Sequence, residues 1–358
     1  MNEPIFIARQ DTLEQEILPA HWLAQYKLFG EESYTFQDKE IWKKLCMSSA
    51  AANDRDMHAE ALEEMLTTFS AEHTGKWMLT VYGMDAAVLE GLASMAAIAA
   101  NGTAMAAVAG NALLMHAITN SETAMQAISR SQTAMQRIAN STTAMDAISG
   151  SKIARDAVQA SPYYNSYIKE NDMAIAKLVV SFANLASAGY SGMAGVAADS
   201  TAMNAVAASS TAMTAVAASG VALQAIAKAY KQTADMLKFL QAVNASDTLI
   251  KSIYNTLTKA TTLFAAAQLG AQDDVASANS WATTSAAPNA FLACACGYYS
   301  SGNSVNVTYN GTVIAQKKTG TAKPGSVTST NVNAITMAPS TFTENGDGYL
   351  AVQKFTAK

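Results

Sequence analysis

The chain has 358 residues, so its length predicts two or three domains. Its formal net charge of −5, with only 14% charged residues, excludes a general phosphate-backbone binder, which needs a basic face. Its three cysteines exclude a disulfide framework and fit assembly in the cytosol, and we expect no secretory signal at its start.

The first predicted domain is helical and covers residues 1–83. Asp11 is placed to cap a helix, and further amphipathic stretches follow before residue 80. Three of the four tryptophans of the chain lie in this segment, at Trp22, Trp42 and Trp77. It therefore has better core material than the Ala-rich chain that follows.

A decapeptide repeat follows over residues 84–228, with an interruption at 161–188. In 91–160 the fifth position of most windows is Met and the eighth is Ile or Val, and a second block at 189–228 repeats both columns. Several columns that repeat together indicate a repeat architecture. The residues expected to pack repeat against repeat are Met105, Met125, Met135, Met145, Ile128, Ile138, Ile148, Met203, Met213, Val206 and Val216.

A spacing of ten residues does not suit one long helix. Ten residues of α-helix turn through roughly 1000°, about 80° short of three full turns, so the Met column would wind around the helix. A coiled coil with this repeat would need about 3.3 residues per turn, which is further from the helical value of 3.6 than the 3.5 of a heptad.

The junctions between repeats favour short helices instead. They carry turn formers and helix caps, such as Asn101-Gly102, Asn140-Ser141 and Ser219-Gly220. We expect Ser or Asn to cap each helix and Gly to end it in the left-handed conformation. Because a two-turn helix is unstable alone, we predict a solenoid in which each repeat covers the Met/Ile face of the next. The alternative is one continuous helix packed in an oligomer.

The remainder of the chain, residues 229–358, drops the repeat. Residues 229–270 are predicted to form two longer helices separated at Asn244 and Ser246, and 271–289 a linker. Residues 290–358 are predicted to form a β module with a buried first strand, a hairpin at Asn310-Gly311 and a second hairpin at 345–348. The predicted fold class is mainly α with a small C-terminal β domain: a decapeptide-repeat short-helix solenoid followed by a β-sandwich-like module.

Little in the sequence indicates catalysis, and we predict no enzyme, no cofactor and no metal site. The four histidines form no zinc-binding motif, and there is no Gly-rich phosphate loop. Cys294 and Cys296 fall on one face of a predicted strand, where we expect a buried structural role.

The Thr-Ala-Met-x-Ala-Val/Ile decapeptides of 101–160 and 199–218, followed by a small β module, resemble the tail-fibre and related appendage proteins of tailed bacteriophages. The two repeat blocks carry this resemblance, which is only architectural for 290–358. It implies a virion component, assembled in the host cytoplasm, with other virion proteins as partners. It also implies a homo-oligomer, with a trimer favoured, and neither catalytic residues nor nucleic acid.

The function expected from this resemblance is that of a virion structural protein. The N-terminal region would attach it, the repeats would act as a spacer, and the β module would contact a host receptor, a glycan or another virion protein. The aromatic residues expected to make such contacts, unless they form the core of the module, are Trp281, Tyr298, Tyr299, Tyr309 and Tyr349.

Two alternative functions stay open. Residues 91–120 hold no Asp, Glu, Lys or Arg and are long enough to span a bilayer, as in a membrane-active protein ejected by a phage. Against this, the segment carries Asn101, Asn111 and His116 and continues the repeat. A lytic or depolymerase enzyme is disfavoured, because 290–358 is short and nothing selects a pair of catalytic carboxylates.

Overall fold

The computed structural model describes residues 59, 62, 63, 66, 84, 86–89, 92, 94–229, 234–275, 280–282, 289–298, 304–317, 326–345 and 348–358. Within these, the chain is mainly helical and ends in an antiparallel β region of two sheets. It divides into two compact units, Met1–Ile168 and Lys169–Lys358. The helices and tryptophans predicted for 1–83 lie outside the described residues, apart from the first four positions given above.

Short helices make up the described part of the first unit. In chain order they are α1 (Ala86–Leu89), α2 (Met95–Ala100), α3 (Gly102–Gly110), α4 (Ala112–Thr119), α5 (Glu122–Ser129), α6 (Gln132–Ala139), α7 (Thr142–Gly150), α8 (Lys152–Ala160) and α9 (Tyr164–Tyr167).

One or two residues separate successive repeat helices. Asn111 is both the C-terminal cap of α3 and the N-terminal cap of α4, in an extended conformation with φ −93° and ψ 109°. Its side-chain oxygen accepts the N–H of Leu114 at 2.9 Å, so one residue ends a helix and starts another. The axes of α3 and α4 consequently meet at 99°. The 9 helical residues of α3 and one extended residue account for the period of ten.

The junction glycines differ from the sequence prediction, which placed them in the left-handed conformation at helix ends. Gly102 opens α3 and Gly110 closes it, and neither has a positive φ. The left-handed conformation is unnecessary because the extended residue that follows, Asn111, already turns the chain.

Each repeat helix of the first unit packs mainly against the helix three places further along the chain. The pairs are α2 with α5, α3 with α6, α4 with α7 and α5 with α8. The sequence predicts that the next repeat covers each Met/Ile face; the principal partner is instead the third helix along, because local periodicity does not report the bend between helices.

The helices of the second unit pair in the same way, each with the third helix after it. They are α10 (Asp172–Phe182), α11 (Met193–Ala198), α12 (Ser200–Ala208), α13 (Ser210–Ala218), α14 (Gly220–Lys228), α15 (Ala234–Asn244) and α16 (Asp247–Lys259). The pairs are α10 with α13, α11 with α14, α12 with α15 and α13 with α16. The two predicted longer helices are α15 and α16, and Ser246 caps α16 by accepting the N–H of Leu249.

The β region follows α16 and packs against the helices of its own unit. Its strands are β1 (Phe264–Val275), β2 (Ser280–Ala282), β3 (Ala290–Tyr298), β4 (Ser304–Tyr309), β5 (Thr312–Lys317), β6 (Ala334–Met337), β7 (Ser340–Asn345) and β8 (Gly348–Ala357). They form two antiparallel sheets, ordered β1-β8-β3-β6 and β2-β7-β4-β5. Helices α15 and α16 contact β6, and α14 contacts β8.

The hairpin predicted at Asn310-Gly311 is present between β4 and β5. Both residues have positive φ, 48° and 76°, as the tight turn of a two-residue hairpin requires. The second predicted hairpin, at 345–348, is wrong: β7 and β8 belong to different sheets, because β8 pairs with β1 and β3 instead.

The boundary between helix and strand also differs from the sequence prediction. The helical prediction ran to residue 270, but α16 ends at Lys259 and β1 begins at Phe264. The predicted linker 271–289 contains the end of β1 and all of β2. Pairing with β8 along the whole of β1 overrides the helical preference of the alanines in 265–267.

Candidate functional site

The repeat columns singled out in the sequence lie inside the helical packing. Met and the branched residue three positions later share one face of each short helix. The exposed fraction is 0–2% for each of Met105, Met125, Met135, Met145, Ile128, Ile138, Ile148, Met203, Met213, Val206 and Val216. These side chains therefore hold helices together and do not offer a surface to a ligand.

Four serine hydroxyls at the junctions of the first unit each bond to a helix end that is distant in sequence. The hydroxyl of Ser131 accepts the N–H of Ala134 at 3.2 Å and donates to the C=O of Ala99 at 2.7 Å. The next three junctions repeat this donation, each at 2.6 Å and each across 32 residues of sequence: Ser141 to Ala109, Ser151 to Thr119, and Ser161 to Ser129. We call Ser131, Ser141, Ser151 and Ser161 the serine ladder.

The serine ladder satisfies groups that every short helix leaves open at its ends. A helix has N–H groups without partners at its start and C=O groups without partners at its end. A hydroxyl is both an acceptor and a donor, so Ser131, Ser141 and Ser151 each cap the start of their own helix and donate to the end of the fourth helix before it. Ser161 makes the same donation but accepts the N–H of Tyr163 before α9. The sequence marks the capping serines but not their acceptors, because nothing local marks a carbonyl 32 residues away.

At the starts of two helices that no ladder serine caps, a carboxylate accepts hydrogen bonds instead. In the first unit, Glu63 accepts the hydroxyls of Ser121 and, at 2.6 Å, Thr123 at the start of α5. In the second unit, Gly192 precedes α11 and has no side chain to cap it, so Asp172 accepts the N–H of Met193 at 2.8 Å. A negative charge at a helix start also interacts favourably with the helix dipole.

Two of the aromatic residues proposed for surface contacts are core residues instead. Tyr309 is fully buried and Tyr349 is 1% exposed, so the surface role predicted for both is wrong. The ring of Tyr349 covers Gly297, its partner in the register of β8 and β3, and fills the space of the missing side chain. Trp281 lies in β2 and Tyr298 in β3, whereas Tyr299 falls outside the described residues.

Cys294 and Cys296 lie side by side on β3, facing the core. Both are buried free thiols with 2.9 Å between their sulfur atoms. Burial, together with the neighbouring Cys296, raises the pKa of the Cys294 thiol well above its usual value. Since the thiolate is the reactive form, this environment makes Cys294 a poor nucleophile. In the described part of the chain, no three His, Cys, Asp or Glu residues are grouped to hold a metal ion.

A cleft of about 830 Å³ lies in the second unit. Lys169, Lys251 and Lys259 line it, together with hydroxyl and amide side chains. Its one carboxylate, Glu170, is engaged by the N–H groups of Gly220 and Val221 at the start of α14. The cleft thus has a basic rim, and its lining does not place a nucleophile beside a general base.

Among the described residues, no single helix has both the length and the apolar composition to cross a bilayer. Two pairs of consecutive helices meet these limits only when taken together, α3 with α4 and α13 with α14, and they are bent by 99° and 97°. In α3 the side chains of Met105 and Val108 are fully buried within the protein.

No protein-family model and no curated protein sequence matches this chain.

Proposed function

We propose that this chain is a structural protein of a bacteriophage virion, in a tail fibre or another appendage, with the repeats as a spacer. The serine ladder is the observation that carries the proposal. It repeats the same pair of hydrogen bonds at each successive junction from Ser131 to Ser151. Such a pattern serves the building of a stiff element from near-identical units rather than the recognition of a small molecule.

Both helical blocks are, in this proposal, solenoids with three short helices per turn. The packing of each helix against the third one after it supports this in both units. Each turn then covers the Met and Ile or Val side chains of the turn before it, so the structure grows in length without gaining a new kind of contact.

The β region is, in the same proposal, a sandwich-like module that follows the spacer in sequence. One continuous apolar core receives Phe291 and Phe355 from the first sheet and Val307 and Phe342 from the second, which supports two sheets that face each other. The module would contact a host receptor, a glycan or another virion protein. Trp281, Tyr298 and Tyr299 stay candidates for those contacts, while the N-terminal region would attach the chain to the particle.

Electron microscopy of purified particles tests the proposal. An antibody fragment raised against residues 290–358 should label an appendage at a fixed distance from the particle, and the chain should be found by mass spectrometry in the same preparation. The fragment presaturated with the purified protein is the control and should leave particles unlabelled. Absence of the chain from washed particles would contradict the virion role.

The membrane-active alternative is favoured only by the composition of the two bent helix pairs. Flotation with liposomes separates it from the appendage role, since a spacer should stay in the dense fraction. The mass of the purified chain by sedimentation addresses the oligomer, for which the phage resemblance favours three copies.

A further inference from the structure

The first sheet ends in two edge strands, β6 and β1, and among the described residues β6 is the better shielded of the two. The amide of Asn244, at the end of α15, accepts the N–H of Ile335 at 3.0 Å and donates to its C=O at 2.6 Å. A side chain thus takes the place of a further strand, and α15 and α16 lie against this edge. Covering an edge in this way prevents another chain from pairing with it.

In the described part of the chain, the opposite edge, β1, has no such cover from Ala265 to Gln268, although the N–H of Phe264 before it donates to the C=O of Ala260 at 2.9 Å. Among the strands that the structure describes, only β8 pairs with β1. Ala265, Ala266, Ala267 and Gln268 are all exposed, although successive residues point to opposite faces of the sheet. Both faces and the outer edge are therefore open at the same place.

The usual protection against edge pairing is also missing from this part of β1. No charged residue and no proline occurs from Ala260 to Gln272. The irregularity at Gln268/Gly270 and the acidic Asp273 lie further along, so they limit the open stretch to 265–268 and leave it unprotected. The other sheet ends in β2, of only 3 residues, and in β5, which packs against α15.

We infer that 265–268 is a self-association site, at which the β1 strands of two copies pair antiparallel about a two-fold axis at Ala266. In this register Ala266 faces its own copy and Ala265 faces Ala267. Phe264, opposite Gln268, lies at the margin of the site, because its side chain is buried and its N–H donates to the C=O of Ala260. No like charges meet, and the small alanines leave room on both faces for the backbones to approach. An identical strand therefore fits the edge in shape, charge and hydrogen-bonding capacity. The two four-stranded sheets of the pair then form one sheet of eight strands.

Sedimentation of the full chain over a wide range of concentration measures this association. We expect a monomer–dimer equilibrium, and we expect Ala266→Lys and Ala266→Glu each to raise the dimer dissociation constant at least about tenfold, because like charges then face each other at the axis. An equimolar mixture of the two variants should restore the dimer, since opposite charges now meet. Val313→Lys is the matched control, because it adds the same charge at an exposed position of β5 and should leave the constant unchanged.

Three results would overturn the inference: a wild-type chain that stays monomeric, a trimer without dimers, or variants that fail to recombine when mixed. Circular dichroism of each variant checks that the fold is retained, which the exposure of Ala266 leads us to expect. The inference does not rest on the virion role, which particle labelling tests separately. A two-fold pair gives even numbers of copies, so the measured mass also decides between this contact and the trimer that the phage resemblance favours.

Discussion

Ser141 donates to the C=O of Ala109 at 2.6 Å and accepts the N–H of Ala144 at 3.2 Å, so its hydroxyl holds two helix ends at once. We expect Ser141→Ala to lower the free energy of unfolding by about 1–2 kcal/mol, because it removes a helix cap and leaves a carbonyl without its donor. Urea denaturation measures the change. Thr142→Ala, at the exposed next position, should stay within about 0.5 kcal/mol of wild type. Equal effects of the two would show that the ladder bond does not contribute.

Asp199 caps α12 and also holds a tyrosine. Its carboxylate accepts the hydroxyl of Tyr190 at 2.7 Å and the N–H groups of Thr201 and Ala202. The hydrogen bond from Tyr190, followed by that from Ala202, lowers the pKa of Asp199 below its ordinary 3.8. The same bond raises the pKa of Tyr190 above its ordinary 10.0.

These pKa shifts predict where stability depends on pH. A lowered carboxyl pKa stabilises the fold above pH 3.8, and this contribution is lost as the pH falls through the folded-state pKa. The raised pKa of Tyr190 acts at the other end: its contribution is present below pH 10.0 and lost as the pH rises through the folded value. Asp199→Asn keeps a capping oxygen but removes the titrating group. The stability difference between wild type and variant should therefore shrink on acidification below pH 3.8, and a constant difference would argue against this assignment.

At the scale of a single element, α7 shows what the Met column contributes. Met145 is fully buried in α7, a helix that packs mainly against α4. We expect Met145→Ala to destabilise the chain by about 2–5 kcal/mol through loss of buried surface and the cavity that remains. Met145→Leu, which nearly conserves volume, should cost less than about 1.5 kcal/mol. Thermal unfolding followed by circular dichroism distinguishes the two, and a small effect of the alanine variant would mean that α7 and α4 close over the gap.

One side chain of α15 makes the hydrogen bonds from that helix to β6. Asn244 is buried and satisfies both backbone groups of Ile335. Replacing it by leucine removes both partners, and we expect a loss of about 1–3 kcal/mol for each buried group left unsatisfied. Hydrogen exchange should show faster exchange of the Ile335 amide in Asn244→Leu than in wild type. Unchanged protection of that amide would show that another group shields this edge.

The elements that the sequence predicted well are those decided by neighbouring residues. Capping serines, the length of each short helix and the Asn310-Gly311 turn depend on side chains within a few positions. The strand at Ala265–Ala267 was not predicted, because alanine prefers helix and only β8, far along the chain, makes it a strand. The separation of β7 from β8 into two sheets is likewise set by their partners rather than by the residues between them.

Among the candidate site residues, too, the sequence predicts those features that neighbouring residues decide and not those that depend on distant partners. Burial of the Met and Ile or Val columns follows from the period of the repeat, and the sequence singles these residues out. The aromatic residues of the β module were assigned by type alone, and Tyr309 and Tyr349 are buried. The acceptors of the serine ladder required the bend angle between helices, which no local pattern contains.

At the scale of the whole molecule, the proposed solenoid requires the chain to keep a whole number of repeats. A single pair of helices has no such requirement. Removing residues 141–150 leaves Ser151 at 32 positions after Ala109, so it can replace Ser141 in the ladder bond that exists now. Removing only 141–145 leaves Ser151 at 32 positions after Leu114, in the middle of α4, where the carbonyls already have partners within the helix. It also turns the buried columns that follow away from the preceding turn.

We therefore expect the ten-residue deletion to stay folded with a cooperative unfolding transition, and the five-residue deletion to lose cooperativity although it removes less of the chain. Circular dichroism during urea denaturation compares the two, with limited proteolysis as an independent measure of exposed junctions. Equal stability of both deletions would contradict stacking by whole repeats, because the serine ladder could then form in either register.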